Sequence, residues 1–70
     1  MQREVVSSSN LRSVGYDWWS RTLEVEFNSG NIYRYSAVPH ERYVRLMNAG
    51  SKGSYFHAHI RNSFSYRRVA

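Results

Sequence analysis

Six residues, Thr22-Leu23-Glu24-Val25-Glu26-Phe27, constrain this chain more than any other feature. Strict alternation puts Leu23, Val25 and Phe27 on one face of an extended segment and both Glu on the other, the pattern of a half-buried antiparallel strand. Asn28-Ser29-Gly30 follows, and its length decides what the next strand presents. A two-residue turn at Ser29-Gly30 would set Val25 opposite Arg34. A three-residue loop with Gly30 left-handed sets Val25 opposite Tyr33 and Leu23 opposite Tyr35. A slip of one residue turns a whole strand over, and only the second choice gathers the apolar and aromatic side chains on one face. That register is therefore expected. It leaves Arg34 on the other face beside Glu24 and Glu26, placed for a cross-strand ion pair.

Around this hairpin the remaining elements are short. Leu11 to Tyr16 reads as a strand with Val14 and Tyr16 on one face, and Asp17 to Arg21 as a turn. Ser7-Ser8-Ser9-Asn10 closes a loosely ordered start, although Val5-Val6 could pair. Pro39 suits the first turn of a helix, where no amide partner is needed. His40 to Ala49 carries Tyr43, Leu46 and Met47 at helical spacing, and Gly50 supplies a stop. Ser51 or Ser54 can cap a second short helix that pairs Phe56 with Ile60 at i, i+4. Ser63 to Val69 reads either as a fourth strand or as an ordered tail.

The expectation is one α+β domain over residues 7–66, with residues 1–6 and 67–70 as loosely ordered ends. Its architecture is a three-stranded antiparallel meander with two short helices across one face and a possible short C-terminal fourth strand. The core should draw on Val14, Tyr16, Leu23, Val25, Phe27, Tyr33, Tyr35, Tyr43, Leu46, Met47, Phe56 and Ile60. A chain of 70 residues buries only about 60% of its unfolded surface, so this core must be compact. No cysteine is available to brace it.

Charge narrows the partners. Ten basic residues face five acidic ones, and nine of the ten are Arg, whose planar fork donates paired hydrogen bonds to phosphate. The imbalance lies in the second part. Residues 1–27 hold three Arg against four acids; residues 28–70 hold seven cations against Glu41 alone. Such a field attracts polyanions, or simply keeps a small domain soluble. The start, Met1-Gln2-Arg3-Glu4, lacks an apolar run and no stretch suits a membrane span, which makes a cytoplasmic monomer the default expectation.

Laid out in this order, Ser8-Ser9-Asn10-Leu11, Val14-Gly15-Tyr16-Asp17, Leu23 to Phe27, Gly30 with Tyr33-Arg34-Tyr35 and Val38-Pro39, then Ala49 with Ser51-Lys52-Gly53-Ser54-Tyr55-Phe56 and Ile60-Arg61, resemble the KTSC domain family. That family takes its name from the C-terminus of some lysyl-tRNA synthetases. Its company on a tRNA-charging enzyme implies RNA as a ligand, by context alone.

Four groups are candidate contacts. Tyr33 and Tyr35 could stack bases on an open sheet face, but the expected register puts them toward the helices, which favours a core role. Ser51-Lys52-Gly53-Ser54 offers helix-start amides, two hydroxyls, a Gly permitting close approach and a cation. This is an anion cradle, or else only a capped helix junction. Arg61, Arg67 and Arg68 are its natural helpers. Trp18 and Trp19 sit in a turn, where adjacent residues point apart, so one can pack while the other projects as a contact, or else both fold back as a lid over the end of the sheet. His40, His57 and His59 lack metal-ligand spacing, and the acids form no catalytic cluster, so neither cofactor nor catalysis is expected. The leading expectation is a non-catalytic module binding RNA or another polyanion. The alternative is a protein-interaction domain using Trp18-Trp19 and a sheet edge.

Overall fold

The computed structural model describes all of residues 1–70. Five strands form one antiparallel sheet in sequential order: β1 (Arg3–Val5), β2 (Leu11–Asp17), β3 (Thr22–Phe27), β4 (Ile32–Tyr35) and β5 (Tyr66–Arg68). Helices α1 (His40–Asn48) and α2 (Lys52–His59) lie between β4 and β5 and cover one face. The α+β class and the helix pair match expectation, but three strands plus a possible fourth is an undercount. The C-terminal strand is present, and residues 3–5, expected as part of a loose end, form a further edge strand. Three residues are too few to carry a readable alternation; β1 owes its existence to pairing with β2, not to its own pattern.

The β3–β4 hairpin has the expected register, with Leu23 opposite Tyr35, Glu24 opposite Arg34 and Val25 opposite Tyr33. Gly30 adopts φ 96°, a region that costs glycine nothing, and the Phe27 and Asn31 backbones close the loop at 2.9 Å. Leu23 and Val25 are fully buried with Val14, Leu46, Phe56 and Ile60, and Tyr16, Phe27, Tyr33, Tyr43 and Met47 pack at the margin of this core.

Two core members escape a strict alternation. Leu11 is buried because β2 carries a bulge between Leu11 and Ser13. The extra residue, Arg12, lets Leu11 and Val14 share a face although they are three apart. Val38 is buried in the β4–α1 connection, where Ala37 takes φ 56° and the Val38 amide donates to the Arg21 carbonyl at 2.9 Å. The Tyr16 hydroxyl donates to the Val38 carbonyl. Pro39 stands at the N-cap of α1, one position earlier than expected, and that helix ends as Ala49 turns extended, before Gly50. Ser51 caps α2, accepting from the Ser54 amide at 3.3 Å.

The uncovered sheet face is held by charge. Arg3, Gly15, Glu24, Arg34 and Arg67 form one row across all five strands. Gly15 presents no side chain between Arg3 and Glu24, so the Arg3 guanidinium reaches across to the carboxylate while Arg34 Nε binds its other oxygen at 2.7 Å. A Cβ on Gly15 would come within 2.8 Å of the Gln2 carbonyl oxygen and 3.0 Å of the Arg3 side chain. In the next row Glu26 accepts from the Ser13 hydroxyl at 2.8 Å and pairs with Arg12 at 3.6 Å.

Glu24 is only 3% exposed on a face without helices, because the two Arg side chains lie over it. Burial raises its pKa, but hydrogen bonds and charge from Arg34 and Arg3 outweigh burial, and the net direction is below the ordinary glutamate value. A carboxylate held lower in the folded than in the unfolded state stabilises the fold above the unfolded pKa. That contribution is lost as pH falls through the folded value. Urea unfolding should therefore show Glu24→Gln to be less stable than the native chain by about 2 kcal/mol at neutral pH, the scale of hydrogen bonds to a charged group. The gap should close as the pH drops below the usual carboxylate range; an equal acid slope in both proteins would show that the pair adds no stability.

Candidate functional site

The helix-facing side of the sheet is incompletely covered. Between α2, the β3–β4 loop and the β5 edge lies an open cleft of about 560 Å3, within the range of small-ligand sites. Its floor follows from the hairpin register. Tyr35 pairs with Tyr66 and Tyr33 with Arg68, so β5 extends the aromatic row beyond the core. Tyr66 is 59% exposed and lies against both neighbours, with centroids 5.7 Å from Tyr33 and 5.4 Å from Tyr35. Phe27 meets Tyr33 edge-on at 5.7 Å and Phe56 at 5.5 Å, which joins the floor to the core.

The rim is polar. Asn31 comes from the hairpin loop, Asn10 from the loop before β2, and Asn62 from the turn after α2. His57 and Arg61, one turn apart, form a wall and are joined by Arg61 Nη1 donating to His57 Nδ1 at 3.1 Å. No carboxylate lines the cleft. Burial pushes the Tyr35 phenol up to about 12, with Tyr66 and Tyr33 adding to the shift and Arg61 opposing it. The Tyr35 phenol thus stays neutral and protonated near neutral pH.

Tyr33 and Tyr35 prove to have different roles. Tyr35, 3% exposed, is a core residue that also lines the cleft, whereas Tyr33 is half-buried at the cleft floor. Both face the helices, as the register requires. Sequence reasoning missed Asn31, His57 and Asn62, which no local pattern marks, and the floor residue Tyr66. The signal for Tyr66 was the alternation Phe64, Tyr66, Arg68, left undecided between strand and tail.

The expected cations do not converge. Arg61 is in the cleft wall, and Arg68 shares the cleft face of the sheet, its Nε donating to the Ala70 carbonyl at 3.0 Å. Arg67 lies in the Arg34 row on the opposite face. Lys52 turns back to the Ala49 carbonyl at 3.5 Å. A smaller polar hollow of about 330 Å3 joins the cleft through Ser9, Asn10 and His57 and reaches Ser51, Gly53 and Ser54. Its hydroxyls are engaged with one another: Ser51 Oγ accepts from the Ser54 amide and lies 3.0 Å from Ser54 Oγ. The space left by Gly53 is filled from within the chain. A Cβ there would overlap Asn10 Oδ1 and stand 3.2 Å from Asn10 Cγ and 3.4 Å from Ser8 Oγ. Gly53 lets the Ser8–Asn10 loop dock on α2, which sets one wall of the cleft.

At the other end of the sheet, Trp18 packs edge-on against Tyr16 at 5.2 Å and against His40 at 4.5 Å, while Tyr16 stacks on Tyr43 at 4.7 Å. Trp19 is 98% exposed. Trp18 is 49% exposed despite its ring contacts. His59 lies against Tyr55 at 4.5 Å, away from His57 and its Arg61 partner. No three His, Asp or Glu side chains gather as a ligand set, and no helix is long and apolar enough to cross a membrane.

The sequence matches the KTSC domain model over residues 7–64, a span that runs from before β2 to beyond α2. The chain belongs to the KTSC domain family. It superposes on the crystal structure of a KTSC domain protein from Yersinia pestis with a TM-score of 0.96 and 39% identity, covering 99% of this chain and 97% of that one. An uncharacterised protein of Stutzerimonas stutzeri is 52% identical over 56 residues, 80% of this chain and 79% of that protein. A lysine–tRNA ligase of Nostoc sp. is 40% identical over 62 residues; these are 89% of this chain but 11% of the ligase.

The Gly53 contact is directly testable. Replacing Gly53 by Ala in a helix gains about 1 kcal/mol of propensity, but forcing a methyl into occupied space costs about 1–3 kcal/mol. Gly53→Ala should be net destabilising in urea unfolding. Asn10→Ala combined with it should recover part of the loss. Additive effects of the two substitutions would refute the contact.

Proposed function

We propose that the domain is a non-catalytic module that binds single-stranded stretches of RNA along the helix-facing side of its sheet. The observation that carries this reading is the cleft, where an exposed aromatic floor, a carboxylate-free polar rim and the Arg61 guanidinium adjoin. Unpaired bases present flat faces to stack and polar edges to bind, while the backbone supplies phosphates for Arg. Arg68 on the same face extends the positive path, and the chain's net charge of +5 favours approach of a polyanion. Kinship with a segment of lysine–tRNA ligases is consistent with an RNA ligand, although that segment is 11% of the enzyme and brings none of its catalysis with it.

Fluorescence anisotropy with labelled tRNA and a random single strand across a salt series tests the reading. Affinity should fall steeply with salt. Arg61→Ala and Arg68→Ala should each weaken binding and flatten the log–log slope by about 0.7, the value per phosphate for single strands. Arg67→Ala, on the far face, should bind like the native chain. Absence of binding at low salt would overturn the proposal.

A second reading, a protein contact around Trp19, rests on an indole that is 98% exposed at a turn tip. Trp19 is at the opposite end of β3 from the cleft, so Trp19→Ser should leave RNA affinity unchanged under the first reading.

A further inference from the structure

We infer that the cleft is a seat for one unpaired nucleotide of the bound strand, with its base on the Tyr66 ring that Tyr33 supports, its edge against the Asn31 and Asn62 amides, and its phosphate against Arg61. The inference rests on the RNA-binding reading but is narrower, since a strand could also be held by surface cations with every base in solution.

Three features assign this occupant. First, Tyr66 keeps a large exposed area although two aromatic neighbours support it from the sheet. A supported ring that stays open is a stacking platform, worth about 1–3 kcal/mol per base in single-strand binding proteins. Second, the side chains of Asn31 and Asn62 line the cleft yet make no hydrogen bond within the protein, while Asn28, also on the rim, has its amide engaged with the Ser9 carbonyl at 2.9 Å. Free amides carry two donors and an acceptor oxygen each, the complement of a base edge. Third, Arg61 is the cation of the wall, and its partner is an imidazole nitrogen, not a carboxylate. Its charge is uncompensated and its remaining donors are available for a phosphate.

Other occupants use this set less well. An apolar side chain would bury the free amides without partners, at a desolvation cost. A small carboxylate would engage Arg61 and leave the ring floor empty. A planar heterocycle joined to a phosphate engages floor, rim and wall together. The cleft, about 560 Å3, suits one nucleotide with its neighbours passing over the rim.

The test is an amide-shift NMR titration of the full chain with AMP, CMP, GMP and UMP, with inorganic phosphate and a single-stranded RNA oligonucleotide as separate arms. At least one mononucleotide should shift the amides of Asn31, Tyr33, Arg61, Asn62 and Tyr66, and the oligonucleotide should shift the same set. Tyr66→Ala, an exposed edge-strand position, should keep the native spectrum elsewhere and weaken mononucleotide binding about tenfold. Asn62→Ala should change the preference among the four bases. If inorganic phosphate reproduces the shifts, the site is for an anion alone and the inference fails. If the oligonucleotide binds with no shifts in the cleft, or with full affinity in Tyr66→Ala, the nucleotide seat fails while the RNA-binding reading stands. If the oligonucleotide does not bind, both fall.

Discussion

The β3–β4 register is the constraint on which the rest of this domain depends. With Gly30 left-handed, the hairpin loop holds three residues, and every side chain of β4 takes its face from that count. Tyr33 and Tyr35 join Val25 and Leu23 under the helices, and Arg34 meets Glu24 on the opposite side. β5 then inherits the alternation by pairing with β4, so Tyr66 and Arg68 fall on the cleft face and Arg67 on the other. A loop one residue shorter would exchange the two faces, placing a guanidinium in the core and a tyrosine among the ion pairs.

The two faces consequently perform separate tasks. The outer face compensates its charge across strands: Gly15 clears the way for Arg3, and Glu24 binds two Arg side chains that shield it from water. Such a face has little free charge to offer a ligand, apart from Arg67 at its edge. The inner face closes around Leu23, Val25, Leu46, Phe56 and Ile60, but two short helices cannot cover five strands. The uncovered strip is the cleft. Its chemistry comes from where the helices stop. α2 ends at His59, so His57 in its last turn and Arg61 just beyond it stand as a wall beside the cleft's rings, and Ser8–Asn10 docks on Gly53 at the far side.

Legibility in the sequence followed the length and regularity of each element. β3 declared itself because six residues alternate without exception, and the Arg34–Glu24 pair followed from it. Leu11 did not, because the Arg12 bulge breaks the period between Leu11 and Val14. Val38 did not, because it is buried from a loop by its neighbours and by Tyr16, with no local pattern to mark it. β1 and β5 have three residues each, too few for a periodic signal, and exist only through their partners. The same limit hid the cleft: its rings were visible as aromatic residues, but Tyr66 was ambiguous until β5 was paired. Gly53 fits an anion cradle or a plain helix junction by sequence, and the space beside it is taken by Asn10, a contact between residues 43 positions apart in the chain.

By itself the sequence determined the hairpin register, the inward face of the central strands, the capped second helix and the excess of Arg in the second part of the chain. Each rests on neighbours within a few residues, where periodicity, turn geometry and charge act directly. Only the tertiary structure decided which cations share a surface, which indole projects, and where the aromatic row escapes the helices. Those outcomes depend on distant segments meeting: β5 against β4, the Ser8–Asn10 loop against α2, His40 against Trp18. No local period encodes such meetings, because the shape of the whole core sets them.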